Sequence, residues 1–147
     1  MPRIEFGIRP HAIEFLHEMR EHFELVIFTA ADQSYADDIL ERLDPSGVIS
    51  HRLYRQHAVH FLNVYHQQTT FIKDLSRLGR DLSTVVIVDN LKENFMWQPK
   101  NGIHIKTWTS DQDDESLLML IPLLKQACEA GSDIRESLCE LREASQQ

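Results

Sequence analysis

Three short stretches of this chain place polar side chains where chemistry could be done. The run "TVVIVDNLKEN" (84–94) carries four aliphatic residues, Val85 to Val88, directly into Asp89 and Asn90. Apolar β-branched runs bounded by polar residues read as strands buried on both faces of a parallel sheet. Ligands of open α/β folds gather just beyond the carboxyl ends of such strands. Asp89 and Asn90 therefore either point into a site or cap the loop that follows. A second run, "ELVIFTA" (24–30), carries its apolar residues Leu25 to Phe28 into Thr29. Its hydroxyl, with the free N–H groups of a following helix, could hold an anion, or it could simply cap that helix. Lys73, in "FIKDLSRLGRD", follows two apolar residues at a loop–strand junction. An ammonium there could stabilise phosphate as a point charge, and an ordinary solvated lysine is the alternative.

Other polar clusters invite simpler readings. Asp111, Asp113, Asp114 and Glu115 stand just before an apolar helix, where negative charge suits the helix macrodipole. His57, His60 and His66 raise the question of zinc, but no cysteine or tight histidine pair accompanies them, and zinc ligands are usually more closely spaced. Cys128 and Cys139 read as small apolar residues on helices.

The elements that must position these residues follow from periodicity. "RIEFGI" (3–8) alternates as a short strand. "HAIEFLHEMREH" (11–22) places Ala12, Phe15, Leu16 and Met19 on one helical face. After the strand at 24–30, "DQSYADDILERLD" (32–44) reads as a helix with Tyr35, Ile39, Leu40 and Leu43 on its apolar side. "DPSG" (44–47) is a turn, "VISHRLYR" (48–55) is strand-like, and 56–70 is an irregular loop or hairpin. Residues 71–83 connect to the strand at 84–89. "NGI" (101–103) turns into a short strand ending at "KTW", and a helix runs from about 115 to 129. A final amphipathic helix spans 131–144, with Asp133 and Glu136 spaced as a capping pair and Ile134, Leu138 and Leu141 as its apolar stripe. Strand–helix alternation of this kind means α/β with a mainly parallel sheet.

Composition narrows the class. The 147 residues suit one domain with a real core. A net charge of −8 argues against a nucleic-acid-backbone binder. Two cysteines suggest no disulfide framework, so a reducing compartment is expected. The longest apolar stretch, "LLMLIPLL" (117–124), is too short to span a bilayer, and no signal-peptide core or membrane insertion is expected in this segment.

Taken in order, "RPHAIEFLHEM", "FELVIFTAA", "YADDILERLDP", "ISHRLYRQHAV", "FIKDLSRLGRDLSTVVIVDN", "QPKNGIHIKTW" and "DDESLLMLIPLL" resemble the FCP/SCP-type phosphatase domain. This is the NLI-interacting-factor-like family of the haloacid dehalogenase (HAD) superfamily. The resemblance covers about residues 9–125. It implies a Rossmann-like, HAD-type three-layer fold and a domain over 1–130, with the helix at 131–147 packing on it or extending it. It also implies Mg²⁺-dependent attack on a phosphoserine or phosphothreonine of a protein substrate, such as the RNA polymerase II C-terminal repeat. A nuclear or cytoplasmic location goes with that role. Position by position, Thr29 matches the hydroxyl that contacts the phosphoryl group, Lys73 the phosphate-neutralising lysine, and Asp89–Asn90 the acidic, metal-binding motif. Hard oxygen ligands at that strand exit suit Mg²⁺, and metal and Lys73 would spread the charge of an in-line transfer.

The chain departs from the family pattern in one respect that matters. The family's first motif is an apolar strand followed by Asp-x-Asp-x-Thr or Val, the first Asp being nucleophile and the second general acid. The only Asp-x-Asp here, Asp111 and Asp113, follows "TWTS", with Glu115 where Thr or Val belongs. Family resemblance places the lost strand centrally, between 24–29 and 84–89, so a gap or a substitute strand is expected there. Without both carboxylates the chain by itself is expected to bind metal weakly and not to turn over phosphoesters. The alternative is a non-catalytic binding module, akin to a receptor subunit of the mitochondrial inner-membrane import machinery or to a scaffold.

Overall fold

Helix formation starts where the sequence places its apolar faces. In the computed structural model, which describes residues 7–145, α1 (Ala12–Arg20) buries Leu16 and Met19. Helix α2 (Gln33–Leu43) buries Ala36 and Leu40. The expected face of α2 is rotated by one position: Tyr35 is 46% exposed, and Ala36 takes the inward place. The small residue lets the helix approach its neighbours, while the tyrosine is better satisfied at the surface. Asp44 ends α2 and accepts hydrogen bonds from the N–H groups of Val48 and Ile49. Gly47 supplies the positive φ of that turn.

The strands are shorter than the sequence suggests. β1 (Val26–Phe28) pairs in parallel with β2 (His51–Leu53), so only the middle of 48–55 is a strand. The segment after it is a single 3₁₀ turn (Arg55–His57) and a regular antiparallel hairpin, β3 (Val59–Asn63) with β4 (Gln68–Ile72). Asn63 closes the hairpin tip by accepting the N–H groups of Tyr65 and His66. Two 3₁₀ turns, Leu75–Leu78 and Leu82–Thr84, are capped by Asp74 and Asp81 and lead into β5 (Ile87–Asp89). β5 pairs in parallel with β6 (Gly102–His104).

The outer half of the domain is helical. α3 (Ser116–Glu129) carries Pro122 within it, and α4 (Ile134–Ser145) follows. Ala127, Ile134 and Leu138 form a buried cluster against which Val86, Ile103, Leu123 and Leu141 pack. The apolar stripe of α4 is thus spent inside the molecule. Burying a leucine-sized side chain contributes about 1.5–3 kcal/mol, so α4 is tied down by the same surface that makes it amphipathic. Asp133 caps α4 by accepting the N–H of Arg135.

Among the described residues, β1–β2 and β5–β6 are separate two-stranded sheets. No strand among the described residues joins β1 to β5; between them lies a cavity of about 530 Å³. The strand expected at 3–8 falls largely on Arg3–Phe6, outside the described residues, while Gly7 and Ile8 are irregular.

The acidic stretch before α3 is more than a helix-end ornament. Asp114 is fully buried and clamps Arg9 through two hydrogen bonds, of 2.6 Å from Nε and 3.2 Å from Nη2. Lys106 and Ser116 complete its shell. The Arg9 guanidinium holds this carboxyl well below its ordinary 3.8. A depressed native pKa gives stability that is full above the ordinary value and is lost as pH falls through the folded one. The clamp's contribution should therefore begin to fade near about pH 4. In urea melts between pH 6 and pH 2, Asp114→Asn should start less stable and lose less on acidification than the native chain. A second check concerns Gly102, whose missing Cβ leaves room for the Phe95 ring pressed against it. Gly102→Ala should cost about 1–3 kcal/mol in a denaturant titration, and Phe95→Leu in the same chain should recover part of that loss.

Candidate active site

The end of β4 delivers the first site residue. Ile72 is completely buried, so the chain next to it is fixed, and Lys73 follows with its backbone N–H donated to the Asn94 carbonyl at 2.7 Å. Its ammonium lies 2.6 Å from Asp89 Oδ2, with both side chains almost wholly out of solvent. The Phe28 ring lies under the same ammonium, 5.8 Å from centroid to nitrogen, close enough for a cation–π contribution. A buried ammonium is costly unless paired, and here the pairing doubles as positioning.

Asp89 is the hub. Oδ1 accepts the N–H of Leu91 at 2.9 Å, and Asn94 Nδ2 lies 3.3 Å from both carboxylate oxygens. Asn90, next to it, donates from Nδ2 to Thr107 Oγ1 at 3.1 Å, which leaves its amide oxygen as the free acceptor. Thr29 stands one residue past Phe28. Its N–H donates to the Leu53 carbonyl, and its Oγ1 accepts the N–H of Ala31 at 3.0 Å. This hydroxyl closes a turn ahead of α2, whose own N-cap is Asp32, and its proton remains available to a ligand. The four residues singled out in the sequence thus gather at the carboxyl ends of β1 and β5.

Two further residues of this edge carry no signal in the sequence. Asn94 is recognisable only once the turn Lys92–Phe95 folds it back onto Asp89. Arg55 donates from Nε to the Ala30 carbonyl at 2.7 Å and packs its guanidinium 5.4 Å from the Phe71 ring, which adds a second cation beside Thr29. Both lie in segments without spacing of their own. The histidines do not converge: His57 accepts the Tyr54 N–H, His60 sits edge-on to Phe71, and His66 is exposed at the hairpin tip. Asp111 and Asp113 lie in an exposed turn, where Asp111 accepts the Asp113 N–H.

The fit to Mg²⁺ is partial. Asp89 and Asn90 are hard oxygen donors, but two donors leave most of an octahedral shell to water. Both oxygens of Asp89 are also already hydrogen-bonded. Among the described residues, no three His, Cys, Asp or Glu side chains stand together to hold a metal. These residues alone do not make a Mg²⁺ site.

Parallel strand pairs flanked by helices, with a hydroxyl, a lysine and an acid–amide pair at their carboxyl edge, define an α/β domain. A variant of the fission yeast RNA polymerase II CTD phosphatase Fcp1, bound to beryllium fluoride, shares this fold: TM-score 0.57, 23% identity, 94% of this chain and 39% of that one. The NLI interacting factor-like phosphatase family matches residues 2–135, and the chain belongs to that family. A probable C-terminal domain small phosphatase of Dictyostelium discoideum is 41% identical over 134 residues, covering 91% of this chain and 42% of its own length. The human carboxy-terminal domain RNA polymerase II polypeptide A small phosphatase 2 is also 41% identical over 134 residues, covering 91% of this chain and 47% of its own. The chain thus spans less than half the length of these relatives.

The Lys73–Asp89 contact yields a direct test. Lys73→Ala leaves a buried carboxylate without its cation and should cost about 3–5 kcal/mol, read by chemical denaturation. Lys73→Met combined with Asp89→Leu should recover most of that loss, because the packed apolar pair has no charge to desolvate.

Proposed function

We propose that this domain serves hydrolysis of phosphoserine and phosphothreonine esters in proteins, through an aspartyl-phosphate intermediate. The observation that carries the reading is the convergence of Thr29, Lys73, Asp89 and Asn90 at one sheet edge. The Lys73 ammonium and the Thr29 hydroxyl donate toward phosphoryl oxygens and offset the charge that accumulates there. Asp89 holds the Lys73 ammonium in place. Arg55 adds cationic field at the rim.

The covalent step needs two carboxylates that these four residues do not provide. One attacks phosphorus while the bond from phosphorus to the seryl oxygen breaks. The other, in its protonated form, gives that oxygen its proton, and water then cleaves the acyl phosphate to release inorganic phosphate and restore the attacking carboxylate. A carboxylate in the attacking position would also add a hard donor to Asp89 and Asn90, and with it the Mg²⁺ dependence typical of HAD-type phosphatases. The names of the relatives, phosphatases of the RNA polymerase II carboxy-terminal domain, support that phosphorylated domain as the substrate class, and action in the nucleus or cytoplasm is part of this proposal.

General acid–base help alone is typically worth about 10²–10⁴-fold, so the 147 residues without those carboxylates should show no Mg²⁺-dependent turnover of a phosphoserine heptad peptide. Fusion to an upstream segment bearing Asp-x-Asp on an apolar strand should produce turnover, which Lys73→Met then abolishes. Turnover by the unfused chain that disappears in Asp89→Ala would overturn this assignment of roles.

A further inference from the structure

The β3–β4 hairpin grows out of the candidate site, because β4 leads straight into Lys73. Side chains alternate between the two faces of a strand, so Phe71 and Thr69 lie on the same face as Lys73. The contacts agree with that count. Lys73 stands over the Phe28 ring at the end of β1. The Arg55 guanidinium lies over the Phe71 ring and donates to the Ala30 carbonyl, one residue past Thr29. Across the hairpin, the register sets His60 beside Phe71 and Leu62 beside Thr69. His60 meets the Phe71 ring edge-on at 4.9 Å, and its Nε2 lies 3.1 Å from the Arg55 carbonyl, which ties β3 to the turn that carries Arg55. One face of the hairpin thus continues the edge that holds Lys73 and Thr29.

That face changes character along its length. Its root is cationic, through Lys73 and Arg55, and its outer part is open to water, with Thr69 exposed and Leu62 at 59%. The opposite face anchors the hairpin instead, since Ile72 is wholly buried and Val59 partly so. No Asp, Glu, Lys or Arg stands between Arg55 and Lys73, in a chain where these residues make up 26%. Exposed edge strands are normally guarded by such charges. A water-facing leucine without them offers apolar contact and nothing that would pair with a charged side chain. Strand residues rise about 3.4 Å each, so Thr69, with Leu62 beside it, lies about 13.5 Å from Lys73 along β4. That is four residues of an extended peptide.

We propose that this face of the hairpin is a specificity arm: it receives the residues on one side of the phosphorylated serine or threonine and selects an apolar side chain four positions away. The phosphoryl group sits at Lys73 and Thr29, the extended peptide passes Arg55 and His60, and the apolar side chain covers Leu62. The occupant is a substrate segment because the face begins at Lys73, so a chain lying along it is led to the groups that receive phosphate. The root of the arm rests on the phosphoester reading above; its apolar end rests on the hairpin alone.

The probes are labelled peptides with a central phosphoserine in a glycine–serine background and either Leu or Asp at the fourth residue before or after it. They are titrated into the full chain, with binding read by fluorescence anisotropy. One of the two Leu peptides should bind about tenfold tighter than its Asp counterpart. Leu62→Lys, at a position open to water, should reverse that preference, which a purely structural role for Leu62 would leave untouched. Thr69→Lys, its cross-strand neighbour, should act in the same direction. Equal affinity for Leu and Asp at both positions overturns the arm and leaves the phosphoryl site standing, and so does a preference that survives both lysine variants. Leu selectivity that is just as strong in unphosphorylated peptides keeps the apolar end of the arm and overturns the phosphoester reading at its root. No saturable binding by any of the phosphopeptides overturns both.

Discussion

One short contact, from the Lys73 ammonium to the Asp89 carboxylate, organises this domain. It joins the end of the β3–β4 hairpin to the end of β5, two elements that share no sheet. Asn94 holds both ends of it, accepting the Lys73 N–H with its carbonyl and donating its side-chain amide to Asp89. In a site this dry the pair is stable only while every lone pair and proton has a partner. The geometry therefore follows from burial: Ile72 on one side of Lys73 and Leu75 two residues beyond it leave the ammonium no other place. A lysine held like this is a fixed cation at a sheet edge, which is what phosphoryl chemistry needs of it.

Among the described residues, the same edge is only partly paired. A parallel strand is normally flanked on both sides and covered on both faces. Among the described residues β5 has one neighbour, and its residues Ile87 and Val88 are only half-buried although the sequence around them is continuously apolar. The composition of "TVVIV" fits a more enclosed position than the structure gives it. That mismatch and the cavity beside it are two views of one fact among the described residues, and Thr29, Lys73, Asp89 and Asn90 stand at its carboxyl end.

Elsewhere the fold is held by loops that carry unexpected weight. Asp114 sits in a stretch of acids that a helix dipole would explain, yet its side chain is sealed inside and fixes Arg9 across the domain. Asn101 is nearly as buried and ties the carbonyls of Leu82 and Val85 to the start of β6. These polar side chains do for the short strands what longer ladders would do in a larger sheet: they satisfy backbone groups that would otherwise be buried alone.

How much could be read in advance divides along a physical line. Apolar periodicity located α1, α2, α3 and α4 to within a few residues and put Thr29 and Asp89 at strand ends, because burial of one face is a local, repeating demand on the chain. Motif order carried Lys73 and Asn90. Where a side chain's role depends on a partner far along the chain, the residue type said little. Asn94 had no signature until a turn brought it to Asp89, Arg55 none until the hairpin set Phe71 beside it, and Asp114 looked like one acid among several until Arg9 reached it. The 56–70 stretch could be read as loop or hairpin alike, since its pairing is decided by Asn63 at the tip and by register, not by an apolar stripe. The sequence by itself determined the elements and the chemical types at their ends. Tertiary structure alone decided which of those ends meet and which strand edges stay open, because hydrogen-bond and charge partners are chosen by proximity in space, and periodicity along the chain does not encode it.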